Sequence, residues 1–539
     1  MTGATPLQIL GALVDSPAWP ALRIALHLGF FLSWLLILKG VIQLAYGAAP
    51  ASRGKGRRPR PPSLSSPLIL LTLLFVAVLA YQASWQLTGL FRPQFVAFMQ
   101  SHDRREFNPA HRIQRGRILD RHGEVLAYSQ EQAGQVLRLY PYGPAFAHVV
   151  GYSHPRYGAT GAEAAANARL NGGAPEQLAS WGALGRQLVT GSKRPQGQDL
   201  VLTLDARLQG VALQGLGERH GAVVALRPQD GAVLALVSSP AFDPNQVGPA
   251  LFQAPPADNP LLNRATQGLY PPGSVFKVVL ASMALESGFT GTIDCPAGGY
   301  TTSRHYPPIR DHGYYSAREA GRTWGGHGRL DLERAFAESS NVFFAQLGVR
   351  YGYDALLAAG ARLLFDRQIP LYPGATRSAS MTTGRIPRLK QTDLYGLAQA
   401  SIGQGKVLAT PAHMALIAAA VANGGVAMRP RLIADEPPQS LGAVMSADTA
   451  RRLARMMRRV VADGTGRPIE TPGLAIAGKT GTAENPRGPA HSWFIGFAPA
   501  EAPELAVAVL VEHGGYGSRS AAPIARDLLV AEVGQGTGP

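Results

Sequence analysis

Two apolar stretches open the chain and are followed by strand-like and helix-like segments. The first stretch, residues 24–46, is interrupted by polar residues, whereas the second continues from Pro67 with the cleaner run LILLTLLFVAVLAY. A helix needs about 20 apolar residues to span a bilayer. The second stretch reaches that length only when its C-terminal end, which contains polar residues, is included. The first stretch reaches it only if its charged side chains snorkel. The pattern therefore predicts transmembrane helices at residues 21–47 and 67–90.

A short basic loop, residues 48–66, separates these stretches and contains ASRGKGRRPRPP. Short loops rich in Lys and Arg stay on the cytoplasmic side of a membrane. We therefore expect an out–in–out hairpin after a tail at residues 1–20, with everything after residue 90 outside the cytoplasmic membrane. An amphipathic helix on the membrane surface is the alternative for the first stretch. That stretch lacks a basic leader and a small-residue cleavage site, so it is not interpreted as a signal peptide.

Residues 91–199 show little periodicity and are punctuated by Gly, Pro and Arg. This punctuation is typical of short strands joined by loops. Within the segment, RGRILDRHGEVLA (115–127) predicts two strands joined by a turn at His122-Gly123. The segment is therefore predicted to form a mainly β pedestal domain.

The pattern becomes regular after residue 199. LVLTLD precedes a helical stretch, and the apolar runs GAVVALRP and GAVLALVSSP flank Asp230-Gly231, a strong hairpin signal. A long helical region follows, and the runs LAIAGKTGT, SWFIGFAP and ELAVAVLVEHGG then precede a last helix. Strands at both ends predict one antiparallel sheet with a helical lobe inserted, which makes residues 200–539 an α+β domain.

The composition excludes several classes. The 539 residues carry a formal net charge of +16, but apart from the basic loop the cations are scattered, which argues against nucleic-acid binding. The single cysteine, Cys295, permits no intrachain disulfide, and without a His-rich cluster no metal site or other cofactor is expected. Only seven of 51 cationic residues are lysines. Because lysine can lose its proton when buried and arginine cannot, each lysine is a candidate for chemistry.

The sharpest chemical feature is Ser274 followed three residues later by Lys277, in LYPPGSVFKVVLASMALE. The Pro-Pro-Gly sequence ends any preceding element, so an apolar helix is predicted from Ser274, with both side chains on one face. A serine hydroxyl becomes a nucleophile when a base takes its proton, and burial lowers a lysine pKa toward the neutral form that acts as a base. The spacing alone is weak, because Ser52 and Lys55 share it in the basic loop.

A second polar group, Ser339-Ser340-Asn341, interrupts an apolar helical run. Its structural interpretation is capping of a helix by Ser339. Its functional interpretation has Ser339 relaying a proton and Asn341 donating to a substrate amide.

A third group, Lys479-Thr480-Gly481-Thr482, ends the apolar strand LAIAG. It is either a plain strand end with a turn glycine or an edge strand on which Gly481 lets a peptide backbone approach. In the second case Lys479 and the threonine hydroxyls hold a terminal carboxylate, and the backbone N–H groups of Ser274 and Thr482 form an oxyanion hole. Ser-x-x-Lys, Ser-x-Asn and Lys-Thr-Gly in this order are typical of penicillin-interacting serine enzymes.

From about Arg115 onward the chain resembles class B penicillin-binding proteins, which are monofunctional D,D-transpeptidases. The similar stretches are RGRILDRHGEVLA, NRATQGLYPPGSVFK, SIGQGKVLATPAHMA and SWFIGFAP, beside the three motifs. The second motif has Ser340 where the β-lactamase form has Asp. No glutamate-bearing glycosyltransferase pattern precedes Leu200, which disfavours the bifunctional class A, and most family members have one transmembrane segment rather than the two predicted here.

The resemblance implies a penicillin-binding fold and a serine acyl-enzyme. Ser274 would attack the penultimate D-Ala of a peptidoglycan stem peptide, with Lys277 as the base, Ser339 as the proton relay and Lys479 assisting. β-Lactams would acylate the same serine. The resemblance also implies a polytopic membrane glycosyltransferase as a partner.

Other functions share these motifs. A membrane-bound β-lactamase or β-lactam sensor, a D,D-carboxypeptidase, and a scaffold that activates a membrane glycosyltransferase remain alternatives. Of the other reactive residues, we expect Cys295 to be a buried thiol, His491 to be structural and Lys406 to be solvated.

Overall fold

The computed structural model describes residues 115–132, 135–172, 197–255, 258–372, 379–486 and 488–534, with positions 36, 39–40, 71 and 73–81 of the N-terminal region. The chain forms two compact units, residues 1–106 and 107–539. The described positions of the first unit are helical. Among the described residues, no helix has the length and apolar character needed to cross a membrane. Most of the two predicted transmembrane helices, and all of the basic loop, lie outside the described residues.

The second unit alternates short strands with helices. Its described strands are β1 (Ile118–Leu119), β2 (Val125–Gln132), β3 (Gln135–Leu139), β4 (Ser153–His154), β5 (Gly158–Ala159), β6 (Leu200–Val201), β7 (Gly221–Leu226), β8 (Val233–Ser239), β9 (Thr292–Pro296), β10 (Gly326–Asp331), β11 (Gln368–Pro370), β12 (Ser380–Thr382), β13 (Val426–Met428), β14 (Ser440–Ala443), β15 (Ala477–Asn485), β16 (Gly488–Ala498) and β17 (Leu505–Val511). Its described α-helices are α1 (Ala147–Val150), α2 (Gly161–Ala165), α3 (Asn167–Leu170), α4 (Ala206–Leu216), α5 (Pro249–Phe252), α6 (Lys277–Glu286), α7 (His312–Glu319), α8 (Leu332–Ala337), α9 (Asn341–Tyr351), α10 (Tyr353–Arg362), α11 (Leu394–Ser401), α12 (Pro411–Ala422), α13 (Ala447–Ala462) and α14 (Ala521–Val533).

A five-stranded antiparallel sheet forms the centre of this unit, in the order β15-β16-β17-β7-β8. The strands are apolar on both faces because helices cover both sides. Helices α4 and α14 pack on one face, and α12, which is apolar all round, packs on the other. Since β7 and β8 come from the start of this region and β15–β17 from its end, the predicted sheet with an inserted helical lobe is confirmed.

The predicted pedestal contains a smaller sheet of order β3-β2-β1-β6. The turn predicted at His122-Gly123 is present, and Gly123 has a positive φ of 90°. The Asp120 carboxylate accepts hydrogen bonds from the His122 and Glu124 amides and from the Ala206 amide of α4. This carboxylate therefore ties the turn to the helix that supports the central sheet.

The pedestal is less purely β than expected, because α1, α2 and α3 lie beside its strands. Alanine-rich segments such as GAEAA in α2 favour helix locally. The α2 residue Glu163 is fully buried and pairs with Arg115 and Arg138 at 2.7 and 2.6 Å. Packing around this buried ion pair fixes the short helices against the sheet.

Candidate active site

A tight turn presents Ser274 at the edge of the central sheet. Gly273 has a positive φ of 54°, and a Cβ there would lie 2.5 Å from the Thr482 carbonyl oxygen of β15. The Gly273 amide donates to the Gly403 carbonyl at 2.9 Å. Ser274 lies in a 3₁₀ turn, Gly273–Phe276, and the α-helix begins at Lys277. Only glycine fits this close, left-handed position, so the Pro-Pro-Gly sequence sets where the serine lies.

The Lys277 side chain is fully buried and points at the serine. Its Nζ lies 3.0 Å from Ser274 Oγ, 2.6 Å from the Ser339 carbonyl oxygen and 2.7 Å from Asn341 Oδ1. Burial lowers the pKa of Lys277 from 10.5 to about 7, although the nearby Asp311 carboxylate acts in the opposite direction. The amine is therefore neutral in a substantial fraction of molecules at neutral pH and can accept the Ser274 proton.

The Ser339 hydroxyl lies between the two buried lysines. Its Oγ is 2.8 Å from Lys479 Nζ and 3.3 Å from Lys277 Nζ. Ser339 has a positive φ of 58°, a conformation that costs free energy in a residue with a Cβ and is often found at active sites. The capping interpretation of Ser339 is wrong, because the N-cap of α9 is Ser340, whose Oγ accepts from the Phe343 amide at 3.1 Å. Ser339 therefore does not cap the helix, and its hydroxyl contacts the two lysine amines instead.

The third motif lies on β15, which is an edge strand of the central sheet. Lys479 is fully buried, and its pKa is well below the usual value because of burial and of the neighbouring Lys277 charge. Its described hydrogen bonds go to Ser339 Oγ and the Thr480 carbonyl oxygen. Thr480 Oγ1 contacts Thr465 Oγ1 at 2.7 Å. In the described region, then, Lys479 joins the second motif and makes no hydrogen bond to the threonine hydroxyls.

Gly481 lacks a side chain for a reason that the sequence did not indicate. A Cβ on Gly481 would lie 2.9 Å from Val275 Cγ1 and 3.0 Å from the Cβ of Trp493 on β16. The Trp493 indole in turn donates to the Pro271 carbonyl oxygen at 2.9 Å. The glycine therefore allows the segment carrying the nucleophile to pack closely against β15.

Comparison with known proteins places this geometry in a family. The family model described as "Penicillin binding protein transpeptidase domain" matches residues 221–530, more than half of the chain, and "Penicillin binding protein A dimerisation domain" matches residues 115–199. The peptidoglycan D,D-transpeptidase PbpA of Mycobacterium tuberculosis is 37% identical over 464 residues, covering 78% of this chain and 89% of the relative. The chain belongs to the class B penicillin-binding proteins.

Solved penicillin-binding proteins share the fold. The imipenem acyl-enzyme complex of penicillin-binding protein A from M. tuberculosis has a TM-score of 0.68 and 33% identity, and the match covers 79% of this chain and all of that one. A more distant relative, the peptidoglycan D,D-transpeptidase MrdA of Acinetobacter baumannii, is 32% identical over 456 residues, covering 73% of this chain and 66% of the relative. The α+β penicillin-binding fold predicted for the catalytic region is thereby confirmed.

Asp311 is a residue of this penicillin-binding protein that the sequence patterns did not reveal. Its carboxylate accepts from the backbone amides of Asn341 and Val342 and from Ser340 Oγ, the last at 3.1 Å. A carboxylate at a helix N-terminus is favoured by the helix dipole. Asp311 therefore fixes the second motif and influences the charge of Lys277. It is 30 residues from Asn341 in sequence, and no local spacing signals the contact.

Of the residues expected to have no catalytic role, Cys295 borders this hydrogen-bonded group, because its Sγ accepts from Ser340 Oγ at 3.7 Å. Cys295 is fully buried, and burial raises its thiol pKa to about 11, so it is unreactive at neutral pH. Lys406 is exposed. His491 is buried against Tyr270, and its Nδ1 accepts from the His513 amide at 3.1 Å. In the described part of the chain, no cluster of three or more metal-binding side chains occurs.

Proposed function

We propose that the protein is a peptidoglycan D,D-transpeptidase that cross-links stem peptides through an acyl-enzyme on Ser274. The observation that carries the proposal is the 3.0 Å contact of Ser274 Oγ with the fully buried Lys277 amine, whose pKa is about 7. A serine beside a neutral amine can be deprotonated as it attacks a carbonyl carbon. The names of the relatives and the β-lactam acyl-enzymes of the solved neighbours support the same reaction.

The first half-reaction forms an ester. Ser274 Oγ attacks the carbonyl carbon of the penultimate D-Ala while its proton passes to Lys277 Nζ. The amides of Ser274 and Thr482 hold the oxyanion. The bond to the terminal D-Ala then breaks, and its nitrogen receives a proton through Ser339 Oγ, which lies within 3.3 Å of both lysine amines. Lys479 supports the relay, since its Nζ contacts the same hydroxyl.

The second half-reaction restores the enzyme. An amine of a neighbouring stem peptide attacks the ester carbonyl, loses a proton to the same relay and becomes the new amide nitrogen, and Ser274 Oγ regains its proton. A β-lactam follows only the first half, because its leaving nitrogen stays tethered within the acyl group.

Substrate contacts are assigned from the observed bonds. The Asn341 amide donates to the Arg310 carbonyl oxygen at 3.1 Å through Nδ2, whose second hydrogen can bond a substrate amide carbonyl. The edge strand β15 contains Thr480, Gly481 and Thr482. We place the terminal carboxylate at the threonine hydroxyls rather than at Lys479, because the described hydrogen bonds of Lys479 go to Ser339 Oγ and the Thr480 carbonyl oxygen.

Product analysis with a synthetic donor pentapeptide and a free amine acceptor tests the reaction. A transpeptidase releases D-Ala and forms the amide with the acceptor, whereas a D,D-carboxypeptidase releases D-Ala and forms only the hydrolysed tetrapeptide. Rapid turnover of a chromogenic cephalosporin would instead identify a β-lactamase. A folded protein that shows none of these activities would leave the scaffold function.

We also propose the cellular arrangement predicted from the sequence. Transmembrane helices at 21–47 and 67–90 anchor a pedestal (91–199) and a transpeptidase domain (200–539) outside the cytoplasmic membrane, where a polytopic glycosyltransferase supplies glycan strands. The basic loop between the helices supports this topology. Because Cys295 is the sole cysteine and is buried, variants with one added cysteine report topology through that added thiol. A membrane-impermeant maleimide should label Lys406→Cys in intact cells and Ser52→Cys only after permeabilisation; the reverse order would refute the topology.

Deleting residues 1–66 tests the glycosyltransferase partner. Loss of glycan polymerisation with penicillin binding intact would support a contact through the first helix. Unchanged polymerisation would refute a partner bound at that helix.

A further inference from the structure

The connection between β9 and β10, residues 297–325, reaches both walls of the catalytic cleft. Its Asp311 binds the start of α9 beside Asn341, in the wall that carries the second motif. The next residue, His312, contacts the ring of Tyr516 with ring centroids 5.0 Å apart. This contact joins the wall of the second motif to the wall of the third.

Hydrogen bonds from the residues on either side of Tyr516 fix its position along β15. The next residue, Gly517, donates its amide to Thr482 Oγ1 at 3.4 Å. The preceding residue, Gly515, donates to the Ala490 carbonyl oxygen of β16 at 2.8 Å. In the pairing of β15 with β16, Ala483 lies opposite His491, which is the residue after Ala490. Tyr516 therefore lies beside the part of β15 that follows the Lys-Thr-Gly motif.

Both rings are exposed, and each has a polar neighbour of its own. A ring nitrogen of His312, Nε2, lies 3.1 Å from Ser316 Oγ. The guanidinium of Arg519 lies 5.5 Å from the centre of the Tyr516 ring. Each exposed ring is oriented by its own wall, and the two rings meet across the cleft. A ligand that enters the cleft therefore has to separate the rings or pass beneath them.

We propose that His312 and Tyr516 are specificity-determining residues that sense the bulk of the acyl chain of the donor. The inference rests on the proposed function. With the terminal carboxylate at Thr480 and Thr482, the preceding donor chain leaves along β15 toward Glu484, which is the side where Tyr516 lies. A bulky acyl chain has to separate the two rings, whereas a β-lactam nucleus without a side chain does not. The ring pair therefore slows acylation by bulky ligands and leaves acylation by the bare nucleus unaffected.

The test compares second-order acylation rates with benzylpenicillin and with 6-aminopenicillanic acid, which lacks the acyl side chain. His312→Ala and Tyr516→Ala should each raise the benzylpenicillin rate roughly threefold to tenfold, the size expected for one aromatic pair, and leave the other rate unchanged. The double variant should match the single variants, because both substitutions remove one contact. Tyr315→Ala is the matched control, because Tyr315 is an exposed aromatic residue on the same helix, α7. The described ring contact of Tyr315 is with Tyr314. This substitution should leave both rates unchanged.

The inference is overturned if the ratio of the two rates stays at the wild-type value in both single variants, if the benzylpenicillin rate falls, or if the two substitutions act additively. Thermal unfolding checks that each variant is folded. If His312→Ala is not, His312→Gln removes the ring and retains a polar group that can bond Ser316. Absence of acylation of the wild type by either ligand would instead refute the proposed function, and a normal wild type with unaltered variants would refute only the role of the ring pair.

Discussion

Acylation of Ser274 should increase with pH through a midpoint near 7. Lys277 is fully buried, and burial lowers its pKa from 10.5 to about 7. At about 1.4 kcal/mol per pKa unit, the fold favours the neutral amine by ~5 kcal/mol relative to the unfolded chain. Roughly a tenth of the molecules then carry the neutral base at about pH 6 and roughly nine tenths at about pH 8, so the rate constant should rise about tenfold between them.

The assay is stopped-flow acylation by a fluorescent penicillin across this pH range. The exposed lysine variant Lys406→Met serves as the matched control and should keep the wild-type profile, whereas Lys277→Met should abolish acylation. A rate that is flat or falling between about pH 6 and pH 8 would contradict the role of Lys277 as the base.

The same pKa predicts how stability depends on pH. The unfolded chain holds the Lys277 proton up to about 10.5, and the folded chain releases it from about 7. Between these two pH values the unfolded state therefore binds more protons than the folded state. The stability contributed by the neutral amine is fully present above about pH 10.5 and is lost as the pH falls to about 7. Thermal unfolding of the wild type should gain stability with rising pH more steeply than Lys277→Met. Equal slopes would refute the low pKa.

Three other substitutions test the supporting structure. Asp311→Asn should shift the midpoint of the acylation profile to lower pH, because this carboxylate raises the Lys277 pKa, and should cost about 1–3 kcal/mol of unfolding free energy; an upward shift would contradict this. Gly481→Ala should cost about 1–3 kcal/mol by steric conflict with Val275 and slow acylation, as measured by denaturant unfolding and penicillin labelling; a neutral substitution would refute the packing argument. Trp493→Phe removes the indole hydrogen bond to the nucleophile turn and should cost about 1 kcal/mol with slower acylation, whereas an unchanged rate would show that this bond does not position the serine.

Local patterns predicted those parts of the fold that depend on local periodicity. The hairpin around Asp230-Gly231 followed from turn chemistry, and it is formed by β7 and β8. The contact between Ser274 and Lys277 followed from their spacing of three residues. The pairing of β6 with β1 of the pedestal, rather than with the central sheet, could not be predicted because a two-residue strand carries no periodicity.

The candidate site was predictable only where a motif is continuous in sequence. The meeting of Lys479 with Ser339 depends on two elements 140 residues apart. The role of Asp311 depends on a loop returning to the start of α9. Ser340 rather than Ser339 caps that helix because Ser339 adopts a left-handed backbone, a tertiary constraint that residue type does not reveal.

Labelling by fluorescent penicillin, with the adduct located by mass spectrometry, tests the acyl-enzyme most directly. The wild type should form a stable adduct on the peptide containing Ser274, and Ser274→Ala should form none while unfolding at a similar temperature. Persistent labelling of folded Ser274→Ala, or an adduct on another residue of the wild type, would contradict the assignment of Ser274 as the nucleophile.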